Sequence, residues 1–247
     1  MYRDVKSNFG KIGHYTAFQE LNGIYHKVVN ENPDFHKFSD IIYAQNKFDL
    51  YVLFKEFPHL RTSIGSGGTE KRFTTSIFGL KEIFHTKSQN DADLKILGLV
   101  NNNREYRWIK SDLVEAHPCI DKYKVIAPKS NGSGILGEIL STPLIGKPLV
   151  GITQSFIQIG AFATQNEAAA TLKYIKTKFA RCLLGILKVT QDNPKDAWAF
   201  VPLQDYTASS DIDWSKSIAE IDQQLYTKYG LSEAEINFVE DMIKPME

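Results

Sequence analysis

Cysteine is scarce: Cys119 and Cys182 are the two in 247 residues, far apart and outside any Cys-x-x-Cys pattern. A structural zinc site takes about four ligands, so this pair with His117 falls short, and both thiols are expected to be ordinary buried side chains. Long apolar runs are missing too. No stretch approaches the roughly 18 to 20 apolar residues of a membrane span, and the opening Met1-Tyr2-Arg3-Asp4 is too polar for a secretory signal, so a cytoplasmic protein without a membrane partner is expected. The six histidines, at 14, 26, 36, 59, 85 and 117, form no His-x-x-x-His pair, and there is no Gly-x-Ser-x-Gly. Nucleophile-elbow and zinc-protease chemistry therefore lack support. Gly65-Ser66-Gly67-Gly68 has no Gly-Lys-Ser/Thr behind it, which leaves a surface loop in place of a phosphate loop.

Net charge is zero, but the zero hides a partition. Residues 1 to 190 hold 25 Lys and Arg against 17 Asp and Glu, whereas residues 191 to 247 hold 4 against 12. A basic body suits a polyanion partner, although charged runs also occur as merely solvated faces. The hydrophobic share of 43% supports a real core.

Patterning along the chain gives a mixed α+β fold. Phe18, Leu21, Ile24, Tyr25, Val28 and Val29 predict an amphipathic helix that ends near Asn32-Pro33. Residues 38–57 read as a helical turn running into a strand centred on Tyr51-Val52-Leu53-Phe54. Residues 58–75, rich in Gly, Ser and Thr, read as surface loop or hairpin. Strands are expected at 95–100 and 122–126, with a turn at Asn101-Asn102-Asn103, and another with a bulge across 149–162. Thr164-x-x-Glu167 is a capping box that opens one long helix, with Ala168, Leu172, Ile175, Phe179, Leu183 and Ile186 on its inner face. Lys173, Lys176, Arg181 and Lys188 form a basic stripe opposite. A strand "AWAFVPL" follows, then a polar hook at Gln204-Asp205, which also suits simple capping of backbone groups. Two helices capped by Ser217-x-x-Glu220 and Ser232-x-x-Glu235 close the chain, stopped by Gly230 and Pro245.

Candidate chemistry is sparse. Asn32-Pro33-Asp34-Phe35 is similar to the Asn-Pro-Pro-Tyr/Phe motif that holds a flipped adenine, but Asp34 replaces the second proline, and 31 residues cannot contain the cofactor domain that precedes it. Asp93 and Lys95 could end a nuclease-type acidic triad, which makes a small magnesium-dependent restriction nuclease the alternative reading. Binding has wider support: Arg61, Lys71, Arg72, Lys129, Lys173, Lys176 and Arg181 could contact phosphates, while Asn131, Ser133, Gln154 and Gln158 offer groups that read base edges. Each also suits an exposed, solvated side chain, and Phe73 and Trp108 suit packing better than base stacking.

Two segments, "KVIAPKSNGSGILGEILSTPLIGKPLVGITQSFIQIGAF" at 124–162 and the stretch from Leu172 to Pro245 that contains "FVPLQDYT", resemble the C-terminal region of large adenine-specific DNA methyltransferases of type II restriction-modification systems. Residues 38–54 resemble it more loosely. The resemblance implies a target recognition domain: an irregular β-rich body over the DNA with a central amphipathic helix and a C-terminal helical segment. It divides the chain into an N-terminal helical segment (1–37), a DNA target recognition domain (38–205) and a C-terminal helical segment (206–247). It further implies double-stranded DNA as one partner and a methyltransferase catalytic region, in cis or in trans, as the other. The methyltransferase motifs are missing here, so no catalytic residue and no cofactor is expected in this chain, and S-adenosylmethionine would bind the catalytic region. A fragment or separately encoded module of a restriction enzyme is the expectation.

Overall fold

In the computed structural model, which describes residues 14–32, 34–64, 71–132 and 134–246, the apolar positions gather into two main cores. The first element among the described residues is α1 (Gln19–Tyr25), which continues into a π-helical turn at His26–Asn30, so the expected N-terminal helix is present and amphipathic. Leu21, Ile24 and Val28 are buried in the first core.

A 3-10 turn at Phe38–Ile41 leads into β1 (Ile42–Tyr43). The strand expected over Tyr51–Phe54 is instead α2 (Leu50–Glu56). Asp49 decides this: its carboxylate accepts the Tyr51 and Val52 amide hydrogens at 3.0 and 3.1 Å, which satisfies free donors at the helix start. Tyr51 then points to solvent while Leu53 is buried. A short helix, α3 (Arg61–Ile64), follows inside the segment expected as loop.

β2 (Leu94–Val100) and β3 (Asn103–Ile109) form an antiparallel hairpin. Its turn lies at Asn101 and Asn102, whose φ of 50° and 62° is the left-handed backbone of a tight two-residue turn. β3 is absent from the sequence expectation; β2 and β4 (Tyr123–Pro128) are present as expected. β5 (Leu144–Gly146) follows, and the stretch expected as one strand across 149–162 is two, β6 (Val150–Ile152) and β7 (Phe156–Phe162), separated by a turn. The expected irregularity is a register shift opposite Tyr123 and Val125 in the β4–β7 ladder.

β1, β7, β4 and β5 make a four-stranded sheet in that order, and β3, β2 and β6 make a three-stranded one. A small apolar group of Leu97, Ile126, Ile152 and Phe156 lies between them.

Thr164 and Glu167 form the expected capping box of α4 (Gln165–Lys176). The single long helix is broken, however. Thr177, with ψ of 149°, leaves the helical region, and its hydroxyl caps a second helix, α5 (Lys178–Leu187). "AWAFVPL" is no strand: residues 195–198 form a 3-10 turn, and one isolated bridge joins Pro202 to Lys37. The polar hook packs against the C-terminal helices. Gln204 donates to the Tyr229 hydroxyl at 2.8 Å and accepts from Lys228 Nζ at 2.9 Å, while Asp205 Oδ1 accepts the Thr207 amide at 2.8 Å. Both capping boxes of α6 (Ile218–Lys228) and α7 (Glu233–Met242) are in place.

The first core joins α1 to the four-stranded sheet and α4 to α7, so both ends of the chain fold together with residues of the middle. The second is built wholly between Phe48 and Leu113, on one face of the three-stranded sheet.

Candidate nucleic-acid interface

Strand alternation decides what the hairpin presents. On β2, Leu94 and Ile96 enter the second core, so Lys95, Leu97 and Leu99 face the opposite way, and Arg104, paired in register with Leu99, joins them. Where this face meets the Pro128–Phe156 end of the two inner strands of the other sheet there is a cleft of about 470 Å³, lined by Thr75, Leu99, Arg104, Pro128 to Ser130, Gln154 to Phe156 and Asp192.

The cleft is held by backbone. Lys129 donates its amide hydrogen to Ser155 O at 2.9 Å, and Gln154 donates its own to Phe73 O at 2.7 Å, which ties the loop before Thr75 to the β6–β7 turn. Arg104 crosses the mouth, with its guanidinium 5.6 Å from the Phe156 ring centroid and Nη2 donating to Thr142 O at 2.8 Å. Two cations, Arg104 and Lys129, one carboxylate, Asp192, and the amide of Gln154 make a polar and net positive lining.

Two of the expected contact residues, Lys129 and Gln154, thus share this cleft, where Thr75 meets Pro128 to Ser130. Arg104 and the exposed Asn101 to Asn103 beside it escaped sequence reasoning. The signal was available: Arg104, Tyr106 and Trp108 alternate at strand period after an Asn-Asn turn.

The other candidates are elsewhere or occupied. Arg61 is exposed on α3, with its guanidinium 5.2 Å from the Phe54 ring centroid. Lys71 pairs with Glu115, and Arg72 is exposed and bridged through its backbone to Lys47. Ser133, Pro33 and Gly65 to Gly68 lie outside the described residues.

The basic stripe needs correction, because most of it faces protein. Lys173 donates to the carbonyls of Trp214, Ser215 and Lys216, at 2.9, 3.2 and 2.7 Å. Lys176 is half-buried and engaged within the fold. Arg181 is 2% exposed and bonds the carbonyls of Lys176, Thr177, Glu138 and Lys244; burial brings its guanidinium down to about 10. Lys188 is buried as well. The break at Thr177 re-aims the second half of the stripe, where Glu138 and Lys244 meet Arg181 and Asn131, Glu138 and Thr190 meet Lys188. Asn131 and Gln158 are likewise buried. Asn131 Nδ2 donates to Ile139 O and its Oδ1 accepts the Ser141 amide, while Gln158 Nε2 donates to Ala44 O.

Asp93 is nearly buried, and its Oδ2 accepts the Gln89 and Asn90 amide hydrogens at 2.6 and 3.2 Å, a turn-capping role. Lys95 Nζ sits 4.3 Å from the Tyr106 ring centroid. Among the described residues no three His, Cys, Asp or Glu gather to hold a metal, and no helix is long and apolar enough to cross a membrane. Both cysteines are buried, and burial pushes each thiol up to about 12. Phe73 is packed against Phe48 in the second core.

No protein-family model matches the chain, and no curated protein matches it.

Proposed function

We propose that the chain is a sequence-specific recognition module for duplex DNA, of the kind that serves a restriction-modification adenine methyltransferase. The observation that carries this reading is the shared cleft: Lys129 and Gln154, from separate segments, stand with Arg104, one residue pair from the turn end of the β2–β3 hairpin. β6 pairs with β2 only over Lys95–Leu97, so the hairpin end from Gly98 to Arg104 is two-stranded, and a two-stranded ribbon fits the major groove of B-DNA, which is about 12 Å wide. On this reading the Asn101–Asn103 tip and Gln154 read base edges, while Arg104 and Lys129 fix register on the phosphates.

Chemistry on the DNA falls to a partner, a methyltransferase catalytic region in cis or in trans that binds S-adenosylmethionine and flips the adenine. The acidic C-terminal helices suit contact with that partner better than with DNA, since carboxylates and phosphates repel. Such a module acts in the cytoplasm. The resemblance of residues 124–162 and 172–245 to target recognition regions supports the same reading. Selection of the purified chain against a random duplex library near physiological salt tests it. One short enriched motif is the expected result, and retention without enrichment would remove sequence recognition from the chain.

A further inference from the structure

Arg104 and Arg107 stand three residues apart on β3, an odd spacing that sends their side chains to opposite faces of the hairpin. Arg104 lies opposite Leu99 in the ladder and lines the cleft described above. Arg107 lies opposite Ile96, whose side chain enters the second core, and so belongs to that other face. A second cleft, of about 420 Å³, opens beside it. The basic side chains lining it are Lys81, His85, Lys87 and Arg107, and no carboxylate lines it.

The core beneath holds this cleft in shape. Phe78 and Phe84, which also line it, are buried in the second core with their ring centroids 5.4 Å apart. Ile83 and Phe84 both donate amide hydrogens to Leu80 O, which closes the turn that carries Lys81. His85 exchanges two backbone hydrogen bonds with Trp108, at 2.8 and 2.9 Å, and so docks its segment on the outer edge of β3.

Its charge is only partly balanced. Arg107 pairs with Glu105 at 2.6 Å, and its guanidinium is 5.6 Å from the Phe78 ring centroid. Of the carboxylates on flanking residues, Glu82 pairs with His59, Asp93 accepts backbone amides, and Asp91 is exposed without lining the cleft. Lys81 and Lys87 are exposed and pair with no carboxylate among the described residues. Like charges gathered around one concavity repel each other, and an anion between them relieves that repulsion.

Distance along the strand selects the anion. Four residues, roughly 13 Å of strand, separate Asn103 at the hairpin tip from Arg107. The major groove is about 8.5 Å deep, so with the tip at the base edges Arg107 stands just above the rim, at the level of the phosphates. A ribbon with side chains on both faces is about 10 Å thick, which fits between groove walls about 12 Å apart and turns one face to each wall.

We propose that this cleft is a second phosphate site, which binds the backbone of one DNA strand while Arg104 and Lys129 hold the other. This rests on the DNA-recognition reading above. Lys81 and Lys87 supply the free cations, and Glu105 competes with phosphate for Arg107.

Binding of the full chain to duplex DNA across a salt series tests the site. Lys81→Gln/Lys87→Gln alters exposed side chains only, and should lower the slope of log affinity against log salt by about two, with the same motif retained from the library. Glu105→Gln should raise that slope by about one, because it releases Arg107. Lys216→Gln/Lys244→Gln makes the same charge change on exposed residues of the C-terminal segment and should leave the slope unchanged. An unchanged slope in Lys81→Gln/Lys87→Gln, or an equal loss in the control, would overturn the second site and leave the recognition reading standing. Phosphate contacts carry no sequence information, so retention of duplexes without enrichment would remove the recognition reading while the same slopes still decide this site. Inorganic phosphate, followed through the ring resonances of His85, separates the two sources of phosphate. Shifts with phosphate but no change of slope with DNA would assign the cleft to a small ion and overturn the proposal. A chain that binds no duplex overturns both readings.

Discussion

Asp222 on α6 caps α5 through Phe179: its Oδ1 accepts the Phe179 amide hydrogen at 2.9 Å, while Oδ2 accepts that of Lys178 at 3.0 Å. Burial nevertheless raises this carboxyl from 3.8 to about 6, against the pull of those two amides. Below the lower value both folded and unfolded chains hold the proton; between the two values the folded protein binds it and the unfolded chain does not. Stability contributed by this group therefore falls as pH rises from about 4 to 6, by about 3 kcal/mol. Asp222→Asn should flatten that part of the stability profile. Urea unfolding midpoints of both proteins across this range measure it, and parallel profiles would contradict the assignment.

Lys124 is fully buried, with Nζ donating to the carbonyls of Cys119, Lys122 and Lys147 at 2.7, 3.0 and 2.9 Å. Burial brings it from 10.5 to about 8. Lys124→Met removes the donor and strands three acceptors, at a cost of about 3 kcal/mol. Thermal melting at pH 7 should show a clear drop in Tm; an unchanged Tm would mean that water replaces the ammonium.

Arg181, placed among the phosphate contacts by periodicity alone, is expected to act on the fold. Arg181→Met should cost about 3 kcal/mol of stability, since the carbonyls of Glu138 and Lys244 lose their donor. The slope of log affinity against log salt should stay unchanged. A shallower slope at full stability would return Arg181 to the DNA.

Lys129 and Arg104, at the cleft, should behave the opposite way. Replacing either by alanine is expected to weaken binding across all duplex sequences and to reduce the salt slope by about one. Gln154→Ala should instead relax preference at one base position, visible in the sequences retained from a library.

Elements whose signals are local were legible. The capping boxes at Thr164, Ser217 and Ser232 each need four residues of sequence, and all three helices start there. Tyr51 to Phe54 misled because β-branched and aromatic side chains favour strands, while the deciding contact is a single carboxylate at Asp49. β3 was hidden by its polar start, Asn103-Arg104-Glu105, which is natural for an edge strand exposed on one side. For the interface, charge was legible and orientation was not. Counting at 100° per residue assumes an unbroken helix, and Thr177 ends that assumption before Arg181 and Lys188. Lys129 was found as a cation in a Gly-rich stretch and Gln154 as an amide on an expected strand, but their meeting with Arg104 depends on pairing between distant strands.

The most direct test of the account is equilibrium binding of the purified chain to its selected duplex and to a scrambled duplex of equal length, across a salt series. The account predicts at least a thousandfold preference for the selected duplex at physiological salt, of the order seen for specific DNA-binding proteins, with both affinities falling steeply as salt rises. Equal affinity for the two duplexes, or binding insensitive to salt, would contradict it.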